Sequence, residues 1–579
     1  MDQILDTDKT FCSILFDVMA GEGVKDVVCS PGSRNAPLLL AAAARKELRK
    51  HMAVDERAAS FMALGMSIVS QKPVALACTS GTALLNYGPA IAEAYYQSIP
   101  LVVVSADRPQ QWIDQDDSQT LRQFEAFSNY VKKSYQLPAL GNNDREMQWY
   151  ANRIANDAMI EARSGRKGPV HINISLGEPL GGKALRQFMP VRTIEMVEAD
   201  ILADKEILKS FSGMIAGSRV MFVAGFLPPS SRMQKAVKEF CSLPGVVAMT
   251  ETLSNLHLDE LACCVDSVLT AFPEEVLDDM VPDIVISVGG ALVSRKLKEY
   301  LRRNGHRCQH WSIGKHITTT DCFQSLTKRI ETDPARTLMQ LANGARKFIL
   351  NKGCGEAEAY SKAWERAKRE AMDAKKEYVE TAPWSELRIF KHIIGLLPSN
   401  YNLFLSNGTS IRYAQLLSDK LPHASYCNRG VSGIDGCTST SIGCCKAYGG
   451  MTLLVTGDMS MAYDIGSLGL PGIPDRMRII VIDNQGGGIF RFIPSTSSLD
   501  ELEEYFCLRP SLPLKELAQG YGWEYLEADN EDSFIGQLDY FFSPGKRKIM
   551  KVACDGKVGA NVLKEYMSVR ADMGKTGKI

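Results

Sequence analysis

Apolar, β-branched runs recur along the chain, each followed by a segment of helical length. The stretch LLVTGDMSM, from Leu453 to Met461, is typical: Leu, Leu, Val and Thr run unbroken, then stop on Gly457 and present Asp458. Similar runs are VKDVVCS (24–30), PVALACTS (73–80), IPLVVVSAD (99–107) and GPVHINIS (168–175). The rhythm returns in RVMFVAGF (219–226), DIVISVGG (283–290) and CQHWSIG (308–314). It returns again in YNLFLSNG (401–408), MTLLVTGD (451–458) and MRIIVIDN (477–484). Runs that are apolar throughout, rather than alternating, belong to strands buried on both faces, so the pattern predicts parallel sheets covered by helices.

Two stretches punctuate this rhythm. LGEPLGGKALRQFMP (176–190) has the Gly and Pro of a linker, and GEAEAYSKAWERAKREAMDAKKEYVE (355–380) reads as a solvated, charged connecting helix. Three α/β domains are expected: 1–185, 195–352 and 380–579. The outer two resemble one another. SPGSRNAPLLL at Ser30 and SNGTSIRYAQLL at Ser406 are 376 apart, Thr79 and Gly457 are 378 apart, and Val102 and Ile479 are 377 apart. Such agreement predicts an internal duplication.

A chain of 579 residues is too long for one core. Its 45% hydrophobic and 23% charged residues are ordinary for a globular protein, and a net charge of -1 gives no reason to expect nucleic acid or a membrane surface as partner. The 15 Cys form no CxxC pair, which favours a reducing compartment. No apolar run approaches the ~18 residues of a membrane span. The start, MDQILDTDKT, lacks a leader pattern, so a cytoplasmic location is expected.

In open α/β sheets ligands bind beyond the carboxyl ends of the strands. Asp458 and Asn484 both fall there, 26 residues apart, enough for one strand-helix-strand crossover. Two hard oxygen donors with nearby carbonyls suit Mg²⁺, and the glycines of DNQGGG (483–488) allow close approach of a diphosphate. Each piece alone also reads as a helix N-cap and an ordinary turn.

Gly457-Asp458 followed by Asn484 resembles the diphosphate-and-metal motif of thiamine-diphosphate enzymes. That resemblance implies three doubly wound parallel-sheet α/β domains (pyrimidine, central and diphosphate) in the thiamine-diphosphate-binding fold. It implies thiamine diphosphate as cofactor, with Mg²⁺ or Mn²⁺ held by Asp458, the Asn484 side chain and the Gly486 carbonyl. In VDERAASFMALG (54–65), Glu56 is similar to the acid that bonds the aminopyrimidine ring and sets its tautomer; alone it reads as a first-turn Glu at a helix start. Ile434 matches the apolar residue that bends the cofactor, and Ile489 and Phe490 would line the site beside Gly457.

The finer pattern is closer still. CSPGSRNAPL (29–38), CTSGTALLNYGPAIAEAYYQSIPLVVVSADRP (78–109), NRGVSGIDG (428–436) and DNQGGGIF (483–490) are similar to the 2-succinyl-5-enolpyruvyl-6-hydroxy-3-cyclohexene-1-carboxylate synthase family of menaquinone synthesis. That family joins 2-oxoglutarate, after decarboxylation, to isochorismate. Arginine suits such dicarboxylates because guanidinium grips a carboxylate through two parallel hydrogen bonds. By the resemblance, Arg412 and Arg429 would face 2-oxoglutarate. Ser33, Arg34, Arg108, Gln119 and, from the central domain, Arg295 would face isochorismate. Glu56, Arg34, Arg412 and Arg429 are the expected catalytic set, in a homodimer or homotetramer. The chain departs from the family at Asp483-Asn484-Gln485, commonly Asn-Asn-Asn, and at Gly408, often Ser, where Thr409 or Ser410 could supply a hydroxyl. Another thiamine-dependent 2-oxoacid enzyme, or a non-catalytic subunit, is the alternative reading. A nicotinamide enzyme would need a G-x-G-x-x-G turn after a strand, and GGGIF and VGGAL are poor matches.

Overall fold

The computed structural model describes residues 5–138, 145–185, 191–199, 201–257, 264–417 and 424–571. The ends of the expected outer domains, residues 1–4 and 572–579, lie outside these, as do residues 186–190 of the linker stretch.

Three parallel sheets organise the chain. The first takes Asp26–Cys29, Arg49–Met52, Val74–Cys78, Leu101–Asp107, Ser134–Leu137 and Val170–Ser175. The third takes Tyr401–Leu405, Ser425–Tyr426, Met451–Gly457, Met477–Asp483, Glu524–Ala528 and Lys548–Ala553. With strands counted in chain order within each sheet, both run 2-1-3-4-6-5. The sequence offset of 376 carries Leu101 onto Met477, and these residues begin the fourth strand of each sheet. The central sheet takes Val220–Ala224, Val246–Thr250, Ile284–Val288, Gln309–Gly314 and Leu326–Glu331 in the order 2-1-3-4-5. Apart from one short antiparallel pair, Leu5–Thr7 with Lys183–Leu185, every described pairing is parallel. The fold is α/β throughout, with helices on both faces of the sheets, as the continuous apolar strands require. Among the described residues, no helix is long and apolar enough to cross a membrane.

The first and third sheets share a core. Phe61, Met62, Leu76 and Val103 belong to the same buried apolar cluster as Phe404, Ile442, Leu454 and Ile479. Its tightest contact is the crossing of helix Glu56–Ser70 with helix Cys437–Tyr448. A Cβ on Gly65 would lie 1.9 Å from Thr440 O, and one on Gly443 would lie 2.0 Å from Met62 O, so the two backbones touch through glycine. Helix Ala357–Thr381 is solvated on one face only. Its Tyr360, Trp364, Ala367 and Ala371 are buried in the central domain's core, at the three- and four-residue spacing of a helix face.

Candidate active site

Strand Met451–Gly457 ends at the rim of the third sheet, and Asp458 opens the short helix Asp458–Tyr463. Its carboxylate is 6% exposed. Oδ1 accepts from the Met459 amide and Oδ2 from the Gly486 amide, each at 2.7 Å. Burial pushes the Asp458 pKa up to about 6, and those two amides oppose the rise. Gly486 and Gly487 have φ of +82° and +57°, and a Cβ on Gly486 would lie 2.2 Å from Leu508 O, so this turn demands glycine. Gly457 differs. Its φ of -86° suits any residue, and a Cβ there would meet nothing within 4 Å.

Asn484 donates from Nδ2 to Glu386 Oε1 at 2.8 Å, and none of the described hydrogen bonds reaches its Oδ1. The Gly486 carbonyl accepts from Arg491 Nη1 at 2.9 Å, which leaves it one lone pair. Arg491 is held in turn by Glu503 at 2.9 Å. Ile489 and Phe490 follow, both half-buried, with Phe490 tilted against Phe506 at 5.7 Å. Half-buried Ile434 approaches from the loop before helix Cys437–Tyr448, and its carbonyl accepts from Ser460 Oγ at 2.7 Å. Among the described residues, no group of three or more His, Cys, Asp and Glu gathers as a cage. The donors here are instead one carboxylate, one amide and one carbonyl, a set suited to a hard cation that keeps further ligands.

Glu56 is the first residue of helix Glu56–Ser70, and Asp55 caps that helix by accepting from the Ala58 amide at 3.2 Å. The small residues that follow are buried against the third domain. Arg57 donates to the Tyr463 carbonyl at 3.0 Å and lies 3.8 Å from Asp464, so the Glu56 helix touches the far end of the helix that Asp458 begins.

The arginines expected to face substrate fall into two groups. At the first rim, Arg34 donates to the Leu176 carbonyl at 3.0 Å and lies 3.4 Å from Glu178, while Arg108 pairs with Asp117 at 2.6 Å. Burial, then the charge of Arg108, lowers the Arg34 pKa. Ser33 is exposed beside them. Gln119, at φ +59°, packs over Gly81, where a Cβ would lie 3.2 Å from Gln119 Cγ. At the third rim, Arg412 Nη1 donates to the Gly408 carbonyl at 2.6 Å, and Arg429 Nη1 donates to Asn407 Oδ1 at 3.2 Å. Burial, then the charge of Arg429, lowers the Arg412 pKa. At each rim one guanidinium nitrogen, Nε of Arg108 and Nε of Arg429, is buried without a hydrogen-bond partner. Arg295 begins helix Arg295–Arg303 in the central domain, where it is 77% exposed and paired with Glu299 at 2.6 Å. The loop before it is tied inward: Glu251 accepts from the Val293 and Ser294 amides at 2.7 Å and from Gln415, three residues after Arg412, at 3.3 Å. The hydroxyl of Thr409 is committed to Glu386 at 2.9 Å, so it does not stand in at Gly408.

Sequence reasoning missed three buried acids that brace these loops. Glu386 holds Asn484, Glu251 holds the 293–294 loop, and Glu93 accepts from the Gly430 and Val431 amides at 2.5 and 2.7 Å. Glu93 had a faint signal, a lone acid within the small, apolar stretch PAIAEAYY. Glu386, in PWSEL, reads as an ordinary first-turn acid.

The family model "Thiamine pyrophosphate enzyme, N-terminal TPP binding domain" matches residues 9–126, which span the Glu56 helix and the first rim. With its like outer sheets and the strand-end Asp458, the chain is a thiamine-diphosphate-dependent enzyme. Curated relatives named 2-succinyl-5-enolpyruvyl-6-hydroxy-3-cyclohexene-1-carboxylate synthase match nearly end to end. The one from Porphyromonas gingivalis is 39% identical, covering 97% of each chain. Those from Cytophaga hutchinsonii and Bacteroides thetaiotaomicron are 35% and 33% identical, covering 95% and 97% of this chain and 97% and 98% of theirs. The chain belongs to this synthase family.

Proposed function

We propose that the protein decarboxylates 2-oxoglutarate and adds the remaining succinyl unit to isochorismate, releasing 2-succinyl-5-enolpyruvyl-6-hydroxy-3-cyclohexene-1-carboxylate and carbon dioxide for menaquinone synthesis. The relatives' names support the product. The observation that carries the substrate reading is the pairing of like charges, Arg34 with Arg108 at one rim and Arg412 with Arg429 at the other, where in each pair burial and then one guanidinium lower the pKa of its neighbour. Two cations held together in partly buried loops favour an anion between them.

Thiamine diphosphate, when bound, supplies a nucleophilic carbon and an electron sink for decarboxylation. Glu56 would hydrogen-bond the cofactor's pyrimidine ring and keep a proton at its ring nitrogen. Gly457 leaves open space for the diphosphate. Asp458, Asn484 through Oδ1 and Gly486 through its second lone pair would hold Mg²⁺ or Mn²⁺, which offsets the cost of the buried carboxylate. Ile434, Ile489 and Phe490 would give the cofactor an apolar wall that keeps water out. Arg412 and Arg429 grip 2-oxoglutarate, and Ser33, Arg34, Arg108, Gln119 and Arg295 receive isochorismate. Residues 1–185 would form the pyrimidine domain, 195–352 the central one and 380–579 the diphosphate domain. The working form is cytoplasmic and at least a homodimer.

The test is turnover of purified protein with 2-oxoglutarate and isochorismate, omitting thiamine diphosphate or Mg²⁺ in turn. Product is expected only with all four present. Carbon dioxide released from pyruvate, with none from 2-oxoglutarate, would move the protein to another thiamine-dependent reaction.

A further inference from the structure

Glu386 is an expensive residue to keep where it is. It begins helix Glu386–Leu396 and is 2% exposed. No lysine or arginine is bonded to it among the described residues. Its partners are three neutral donors: Asn484 Nδ2 at 2.8 Å and Thr409 Oγ1 at 2.9 Å on Oε1, and the Tyr413 hydroxyl at 3.3 Å on Oε2. Glycines crowd the pair: a Cβ on Gly488 would lie 2.3 Å from Asn484 Nδ2, and one on Gly559 would lie 2.8 Å from Glu386 Oε2. A glutamine has the same shape and no charge to desolvate, so packing and hydrogen bonding alone do not explain the acid.

The chemistry of the Asn484 amide does. Its two ends differ only in donor and acceptor, and for a cation to be bound the oxygen must face outward. Oε1 of Glu386 accepts from both Asn484 and Thr409, so it admits the NH₂ end of the amide and rejects the oxygen; a glutamine can present either end. We infer that Glu386 is a positioning residue that fixes the amide of Asn484 with Oδ1 turned toward the cation, an inference that rests on the metal site proposed above.

The experiment measures thiamine diphosphate binding to the full-length protein by calorimetry as Mg²⁺ is varied, and reads the Mg²⁺ concentration for half-maximal binding. Glu386→Gln should raise that concentration roughly 10- to 100-fold, the usual scale for loss of a group that orients a metal ligand. In excess Mg²⁺ its kcat should return toward the parent value, which a merely packing defect would not allow. Asn484→Asp should also need more Mg²⁺, although carboxylate is the stronger ligand, because the introduced carboxylate would oppose that of Glu386. The double variant Glu386→Gln/Asn484→Asp reverses the donor and acceptor across the same bond and should recover most of the loss. Should Glu386→Gln not fold alone, Asn484→Asp and the double variant decide between them. The inference is overturned by Glu386→Gln lying within twofold of the parent, by Asn484→Asp needing no more Mg²⁺ than the parent, or by a double variant no better than the worse single one. Asp458→Asn separates the levels: loss of binding there with Glu386→Gln unaffected removes only this inference, while Mg²⁺-dependent binding unchanged in Asp458→Asn removes the metal site beneath it.

Discussion

Gly443→Ala places one methyl group where two helices already touch. The new Cβ would lie 2.0 Å from the Met62 carbonyl oxygen, 2.9 Å from its carbon and 3.1 Å from its Cα. Carbon makes favourable contact only beyond about 3.5 Å, and no rotamer relieves a clash with main chain, so helices Glu56–Ser70 and Cys437–Tyr448 must part by roughly 1 Å. A gap of that size forfeits about a quarter to a half of the dispersion attraction across the seam. Overpacking costs ~1–3 kcal/mol, and rigid backbone on both sides puts this case near the upper end. Alanine returns about 1 kcal/mol of helix propensity over glycine. The net is a loss of about 2 kcal/mol, equivalent to roughly 30-fold in the opening equilibrium of the seam. Hydrogen exchange by mass spectrometry reads it directly: amide protection in both helices should fall about 30-fold, while strand Val220–Ala224 of the central sheet stays unchanged. Protection equal to or above the parent's would refute the reasoning, because propensity would then have outweighed the clash.

Other substitutions separate stability from binding. Gly457→Ala meets no atom and suits its backbone, so the protein should gain about 0.4–1 kcal/mol in thermal denaturation, yet lose thiamine diphosphate affinity by about tenfold or more as the methyl enters the open space. Unchanged affinity would mean that glycine there is incidental. Arg412→Ala should lower kcat/KM for 2-oxoglutarate roughly 10- to 150-fold, the worth of one charge-assisted bond, with KM for isochorismate little changed; Arg34→Ala should show the opposite pattern in initial-rate measurements. Burial, then the charge of Arg570, pulls the Lys375 ammonium down from 10.5 to about 7. Between those values the unfolded chain binds a proton that the folded chain does not, so this group makes stability rise with pH across that window. Lys375→Met should flatten the rise in urea midpoints between pH 7 and pH 10, and an unaltered slope would assign it to other groups.

How far the chain could be read varied with burial. The ten quoted strand runs all became inner strands of the three sheets, because a strand covered on both faces must be apolar throughout. All six edge strands escaped notice. Arg49–Met52 is RKHM, Ser134–Leu137 is SYQL and Leu326–Glu331 is LTKRIE, polar in the way that edges must be to discourage pairing with other chains, whereas Val246–Thr250, VVAMT, is mostly apolar and buried. Lys548–Ala553 is the one inner strand missed, with lysines at two of its six positions. At the site, the meeting of Asp458 with the glycine turn, joined in the structure through the Gly486 amide, was legible because both follow apolar strands one crossover apart. Glu386 and Glu93 were not, since their meaning lies in partners 98 and more than 330 residues away.

Glu93 also limits how the chain can be recombined. Both its oxygens hold amides of the loop that carries Arg429, and neighbouring Gln97 bonds the Cys427 carbonyl at 3.2 Å. A Cβ on Gly430 would sit 2.7 Å from the Glu93 carbonyl, so the two surfaces are cut to one another. A chimera splicing the N-terminal third of one relative onto the remainder of another therefore carries a hidden joint, far from the splice. Unless positions 93, 97 and 427–431 are inherited from the same parent, the graft can fold in both halves and still misaim Arg429.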